Sequence, residues 1–218
     1  MERLVFQADS LYLSIKNSLT YGPLNLALGP GEGAIVTCQD LDILRRLMHC
    51  CLGEDAPDSG KISWWTEHNP GDGGWPVCDF YCNIGYVDRQ SQLLSNMSLM
   101  DNIMLLFSYA LIERKEAEKQ AREILEALGL ESYERGRSDY LPEPQRRLAL
   151  YALALCRRPR LMLMERPLQF LDSAFHQVWD LILRSAASGM AYIVFDRTRT
   201  IYDKNDFKYF LQFAPGSF

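Results

Sequence analysis

Residues 31–53 read GEGAIVTCQDLDILRRLMHCCLG, and the hydrophobic period changes halfway along them. Ala34-Ile35-Val36 is a short apolar run of the kind that forms a buried strand. Behind it Leu41, Leu44, Leu47, Met48 and Cys51 recur at helical spacing, on a helix that Asp40 or Asp42 can cap and that Gly53 ends. A buried strand running within a few residues into an amphipathic helix is the first half of a strand–helix–strand unit.

Working outward, the runs LVF (4–6), LYLSI (11–15) and LNLAL (24–28) alternate apolar and polar residues up to the turn Gly29-Pro30-Gly31-Glu32. They read as a small antiparallel sheet. On the other side comes the turn Pro57-Asp58-Ser59-Gly60, then a strand from Lys61 to Trp65, and a surface excursion rich in Gly and Pro over 68–76. Asn83 to Val87 is a further strand. Ser98 to about Leu130 is helical, with Glu113 to Glu123 as its solvated face, and Pro144 to Cys156 is a second helix. Leu161 to Met164 and Ala191 to Phe195 are fully apolar, as buried parallel strands are, with a helix from Ala174 to Ala187 between them. Strands alternating with helices predict an α/β fold with a mostly parallel sheet covered on both faces.

The 218 residues are 48% hydrophobic, enough for one domain with a real core and against disorder. A formal net charge of −5 without a basic stripe argues against nucleic acid as a partner. The six cysteines are scattered, mostly in apolar runs, and MERLVFQADS has no apolar leader segment. The best membrane candidate, Leu99 to Ile112, is interrupted by Asp101 and Asn102 and is too short to span. Reduced thiols and a cytoplasmic setting are the expectation. Cys78 and Cys82 near His68 have loose spacing and no evident fourth ligand, so no metal site is expected. Trp64-Trp65 and Phe80-Tyr81 read as sheet and core aromatics.

The order of landmarks resembles the nucleotide-binding domain of ATP-binding-cassette (ABC) transporters, over nearly the whole chain. Gly31-Glu32 matches the turn before the phosphate-loop strand, and Pro57-Asp58-Ser59-Gly60 the following turn. Ile84-Gly85-Tyr86-Val87 matches the strand entering the Q-loop, and Ser98-Leu99-Met100-Asp101-Asn102 the start of the helical subdomain. Leu141-Pro142-Glu143-Pro144-Gln145 stands at the LSGGQ signature, and Pro159, Leu161 to Met164, Pro167 and Leu171-Asp172 follow as in the Walker B and D-loop region. The resemblance implies a single cassette domain over 1–218 with a P-loop-NTPase-like (RecA-like) core. About 1–89 and 157–218 would hold the core and an N-terminal antiparallel β-subdomain, and about 90–156 an inserted α-helical subdomain.

At the positions that carry chemistry in the family, the residue types differ. A phosphate loop needs GxxxxGK[ST], so that bare amides wrap phosphates, a lysine neutralises them and a hydroxyl holds magnesium. Here the ungapped match is Cys38-Gln39-Asp40-Leu41-Asp42-Ile43-Leu44-Arg45, with two carboxylates expected to face the phosphate position. Arg45 and Arg46 supply charge, but without glycines the backbone cannot approach an anion closely. Glu165 corresponds to the Walker B aspartate, Arg166 to the catalytic glutamate, Arg89 to the Q-loop glutamine (with Gln90 adjacent) and Asp196 to the switch histidine. Asp172 falls at the D-loop position, where it contacts a partner cassette or caps the next helix. Tyr12 and Tyr21 are the candidates for an aromatic against a nucleotide base. Arg45 and Glu165 are expected to pair in the space of the lost metal, with Arg166 or Arg89 pairing with Asp40, Asp42 or Asp196.

By resemblance, then, the chain is expected to be the cassette subunit of an ABC transporter, catalytically degenerate, needing no cofactor and no metal. It would support a permease through the groove near Arg89 to Asn102 and pair with a second cassette or with itself, at the inner face of a membrane. The alternatives are an active ATPase using ATP and magnesium, and a scaffold protein with a cassette-like fold.

Overall fold

In the computed structural model, residues 4–15, 19–64, 82–109, 112–171 and 174–216 are described. Trp65, His68, Cys78, Phe80, Tyr81 and Asp172, each singled out above, lie outside them.

The first two apolar runs form one strand, β1 (Phe6–Ile15), which pairs antiparallel with β2 (Leu19–Leu28) on one side and β4 (Ser59–Trp64) on the other. Phe6 and Ala8 are buried at even positions, Leu11 and Leu13 at odd ones. The change of parity is made at Ser10, which takes φ 49° where the register shifts. A bulge of this kind keeps apolar residues on one face that a regular pleat would turn outward. Gly60 sits opposite with φ +90°, where an added Cβ would lie 2.3 Å from the Ser10 carbonyl oxygen.

The second sheet is wholly parallel in the order β5-β6-β7-β3-β8, with β3 (Gly33–Thr37), β5 (Ile84–Val87), β6 (Leu161–Glu165), β7 (Ala191–Asp196) and β8 (Tyr209–Gln212). Every residue of β6 and β7 is buried, which is why those runs are continuously apolar. The edge strand β8 goes beyond the sequence reading.

Alternate residues of these strands feed two cores. Ala34, Val36, Leu161, Leu163, Ile193 and Phe195 pack with helix α1 (Leu41–Cys51) and the apolar face of the antiparallel sheet. Ile35, Met162, Met164, Tyr192 and Val194 face the other way. There they meet α2 (Leu99–Tyr109), α3 (Arg114–Ala127), α4 (Glu143–Leu155) and α6 (Phe175–Ala187), and a short α5 (Pro167–Leu171) follows β6. The stretch read as one long helical region is thus two helices, with α3 entered at Glu113. The mixed α/β fold with a parallel core and an N-terminal antiparallel sheet agrees with the sequence expectation.

Arg46 ties α1 to the antiparallel sheet. It donates to the Ser14 carbonyl at 2.9 Å, to Asp58 at 2.8 Å and to Asp55 at 3.1 Å. Among the described residues no helix is long and apolar enough to cross a membrane, and no group of three or more His, Cys, Asp or Glu is placed to hold a metal ion.

Candidate functional site

Between β3 and α1 lie three residues, Cys38-Gln39-Asp40. The helix begins at Leu41, so residues 41–45, which a phosphate loop would hold in an open curl, form the first helical turn. Its orphan amides are taken from within the chain: Asp40 Oδ1 accepts from the N–H of Asp42 at 2.9 Å and of Ile43 at 3.2 Å. Amides at a helix start are the donors an anion would use, and here a side-chain carboxylate occupies them. Tyr21 donates its hydroxyl to the other Asp40 oxygen at 3.4 Å and packs against Phe213 at a ring separation of 6.1 Å. Burial, then the Asp40 charge, raises the Tyr21 pKa.

The remaining residues of the turn do not converge as a phosphate cradle. Leu44, at the lysine position, is fully buried in the core. The expectation that both acids face the site is corrected: Asp42 leaves 83% of its side chain in solvent, and only Asp40 turns inward. Cys38 donates its amide to the Asp196 carbonyl at 3.0 Å, and burial raises its thiol pKa. Gln39 donates its side-chain amide to the Arg197 carbonyl at 3.1 Å.

Arg45 reaches from this turn to the end of β6, where its Nη2 lies 3.9 Å from Oε1 of Glu165; its Nη1 is 3.6 Å from Asp42. Glu165 is 3% exposed, and its second oxygen accepts the backbone N–H of Arg89 at 3.0 Å. The pairing expected between Arg45 and Glu165 is therefore present, with an amide as the third member. The companion expectation is corrected, since among the described residues neither the Arg89 nor the Arg166 guanidinium pairs with a carboxylate. Asp40 is satisfied by helix amides, which leaves it no call on a guanidinium. Asp196, 5% exposed, accepts the Tyr202 hydroxyl at 2.7 Å and the Arg197 amide at 2.6 Å. Burial and the Asp196 charge together push the Tyr202 pKa well up. Sequence reasoning missed Tyr202. The only signal was an acid at the end of a buried strand, which demands a nearby donor.

Arg166 follows Glu165 with φ 48° and donates its amide to the Phe195 carbonyl at 2.9 Å, while its buried Nε has no partner. Arg89 and Gln90 are exposed, on a turn held by Asp88, which accepts from the Gln90 amide at 3.1 Å and the Ser91 hydroxyl at 2.6 Å. At the signature position Leu141 is buried, Pro142 caps α4, and Glu143 at its first turn pairs with Arg147 at 2.9 Å and Arg146 at 3.8 Å. Pro144 removes an N–H donor in that turn and Gln145 follows it on the helix. Asn102, 3% exposed, accepts from the Leu94 amide at 2.8 Å and donates to Ser138 at 3.0 Å, fixing the segment between β5 and α2. A cavity of about 460 Å³ opens between Ser91, Leu93 and Ser95 on one side and Ser138, Arg146 and Leu150 on the other.

As arranged, the residues at the loop position do not fit a magnesium triphosphate. For phosphates to sit there, Asp40 would have to leave the α1 amides and Arg45 would have to leave Glu165.

No protein-family model matches the chain. The chain is 30% identical over 188 residues to the ribose import ATP-binding protein RbsA 2 of Escherichia coli O157:H7, covering 84% of this chain and 37% of that protein. It is 31% identical over 128 residues to the lipoprotein-releasing system ATP-binding protein LolD of Syntrophotalea carbinolica, covering 58% of this chain and 56% of that one. The match therefore spans about a third to just over half of the length of these relatives. Among solved structures, an ATP-binding subunit of an ABC transporter superposes with a TM-score of 0.82 at 15% identity, covering 98% of this chain and 90% of that one. The dimeric cassette MJ0796 bound to ADP and phosphate superposes with a TM-score of 0.74 at 18% identity, covering 93% and 90%.

These findings overturn the expectation that the chain takes no cofactor, because the relatives are named for binding ATP and a cassette of the same fold holds ADP and phosphate. The changed residue types at Cys38–Arg45 led to that expectation, and side-chain chemistry at one loop does not define the ligand of a family. In fold and in sequence, the chain belongs to the ATP-binding-cassette family, as a nucleotide-binding domain.

Proposed function

We propose that the chain is the ATP-binding subunit of an ABC transporter whose hydrolytic step is degenerate. What carries the reading is the pair Glu165-Arg166. The residue after the Walker B position is the one expected to activate water, and a guanidinium stays protonated and cannot accept a proton. Arg45 on Glu165 adds to this, since it puts a fixed cation where a metal would be shared. Its role in transport would then be to support a permease and to pair with an active cassette or with itself. The segment from Arg89 to Asn102 and the adjoining cavity supply the docking groove, and residues of about 90–156 form the helical subdomain around it. The inner face of a membrane is the matching location, in keeping with relatives named for import and lipoprotein release.

The test is phosphate release by the purified chain at millimolar ATP and magnesium, with nucleotide binding measured separately. Loss of a general base costs about 10²- to 10⁴-fold, so turnover should fall below about 0.01 s⁻¹, against the 1 s⁻¹ or more usual of enzymes. Turnover near 1 s⁻¹ that disappears in Glu165→Gln would establish the ordinary ATPase role, which the names of the relatives favour.

A further inference from the structure

A second cleft, of about 480 Å³, lies between the turn after β5 and the first two turns of α4. Four arginines line it, Arg89 and Arg166 from the sheet side and Arg146 and Arg147 from the helix, together with Ser91 and Tyr151. The two carboxylates present are already engaged. Glu143 pairs with Arg146 and Arg147, and Asp88 is taken by the Gln90 amide and the Ser91 hydroxyl. Among the described residues, the guanidinium groups of Arg89 and Arg166 have no carboxylate partner.

Three buried polar atoms of residues lining this cleft have no hydrogen-bond partner: the hydroxyl of Tyr151 and the Nε–H of Arg146 and of Arg166. Tyr151 is 1% exposed, so its hydroxyl cannot be satisfied by bulk solvent. Buried polar groups are almost always paired, and an unpaired one costs about 1–3 kcal/mol. One orphan is an accident of packing, but three donors around one cleft with two uncompensated cations describe a receptor for a missing acceptor. Every orphan can donate, and the uncompensated Arg89 and Arg166 guanidinium groups beside them favour an acceptor that carries negative charge. The site is concave and its donors lie below the surface, so a compact ligand can meet them, whereas the flat acidic face of a protein can reach only the rim.

We infer that the cleft between the Asp88–Ser91 turn and α4 binds a small, multiply charged phosphate compound, held by Arg89 and Arg166 with Tyr151 donating from its floor. The site adjoins the Cys38–Arg45 turn through Glu165, which pairs with Arg45 and accepts the Arg89 amide. It shares Arg166 with the hydrolytic reading above, although anion binding there does not require that reading to hold. The walls belong to the sheet side and to the helical layer, so an anion held between Arg166 and α4 would lock the two together.

Isothermal titration with inorganic diphosphate, without magnesium, tests this. Saturable one-to-one binding is expected, weakened about tenfold by either Arg89→Gln or Arg166→Gln, as removal of a charge-assisted hydrogen bond should do. Tyr151→Phe should weaken it severalfold without lowering the thermal midpoint, because the hydroxyl it removes has no partner in the free protein. Arg89 is exposed, so its variant will fold even if others do not. Three results would overturn the inference. These are no saturable binding, binding that survives in the Arg89→Gln/Arg166→Gln double variant but vanishes in Arg45→Gln, and binding of a polyglutamate peptide alone, which would point to an acidic protein partner.

Discussion

Arg45 and Glu165 meet across 3.9 Å, joining the first turn of α1 to the end of β6, and the other oxygen of Glu165 holds the Arg89 amide. A buried carboxylate with two such partners is costly to delete, because the amide is left without an acceptor and the guanidinium without a counter-charge. Glu165→Ala should therefore lower unfolding stability by about 2–3 kcal/mol. Glu165→Gln keeps an acceptor oxygen and should cost about half as much. Arg45 is partly exposed and its contact is long, so the coupling in an Arg45→Met/Glu165→Gln double-mutant cycle should stay below about 1 kcal/mol. Urea unfolding with unchanged m-values checks all three.

Acid should weaken the clamp between α1 and the antiparallel sheet. The Arg46 guanidinium, and then the Ser14 hydroxyl, hold the Asp58 carboxyl well below the usual carboxylate range. A carboxylate whose folded pKa is depressed stabilises the fold above its unfolded pKa of about 3.9 and loses that contribution as pH falls toward the folded value. Asp58 is 38% exposed, so the contribution is screened, about 1 kcal/mol rather than several. Urea midpoints should drop between about pH 4 and pH 2 in the wild type and drop less in Asp58→Asn.

Alkali acts through thiols. Burial pushes both Cys50 and Cys156 up to about 12. A group whose folded pKa is raised leaves stability intact below its unfolded pKa, here about 8.5, and loses it as pH rises toward the folded value. Stability should thus decline from about pH 8.5 upward, and less steeply in Cys156→Ala if that variant folds. In the native state at pH 8, alkylation followed by peptide mapping should label the half-buried Cys82 ahead of Cys38, Cys50, Cys51 and Cys156, which are all buried.

Tyr202 donates its hydroxyl to Asp196 in the interior beside β7, at 2.7 Å. Tyr202→Phe removes the donor and strands a carboxylate oxygen that is out of reach of water. The expected cost is about 1–3 kcal/mol in thermal or urea unfolding. Tyr202→Phe combined with Asp196→Leu should recover part of it, because an apolar pair leaves nothing unsatisfied.

The strand-and-helix order was legible because burial imposes period: β6 and β7 are apolar up to their final acids, Glu165 and Asp196, and the core side of α1 repeats at Leu44, Leu47, Met48 and Cys51. Two features escaped. The bulge at Ser10 merges two apolar runs into one strand, and nothing in DSLY marks a residue that will take a positive φ. The edge strand β8 has three half-exposed residues and an exposed Gln212, and its claim to be a strand is the partner β3, far away in sequence. The candidate site was legible as residue types and not as geometry. Arg45 and Glu165 were foreseen as a pair, whereas the capture of helix amides by Asp40 depends on where α1 begins, and that is set by backbone packing. Tyr202 and Tyr151 carried no local signal because their partners, or lack of them, are tertiary.

The position of β3 has a consequence for how the polypeptide is made. Both of its neighbours, β7 and β8, come from the far end of the chain, and Thr37 hydrogen-bonds to Leu211, 174 residues later. The antiparallel sheet can assemble as soon as β4 leaves the ribosome, but the middle of the parallel sheet must wait until β7 and β8 have been made. Until then the nascent chain carries an apolar strand with two bare edges, open to pairing with another chain.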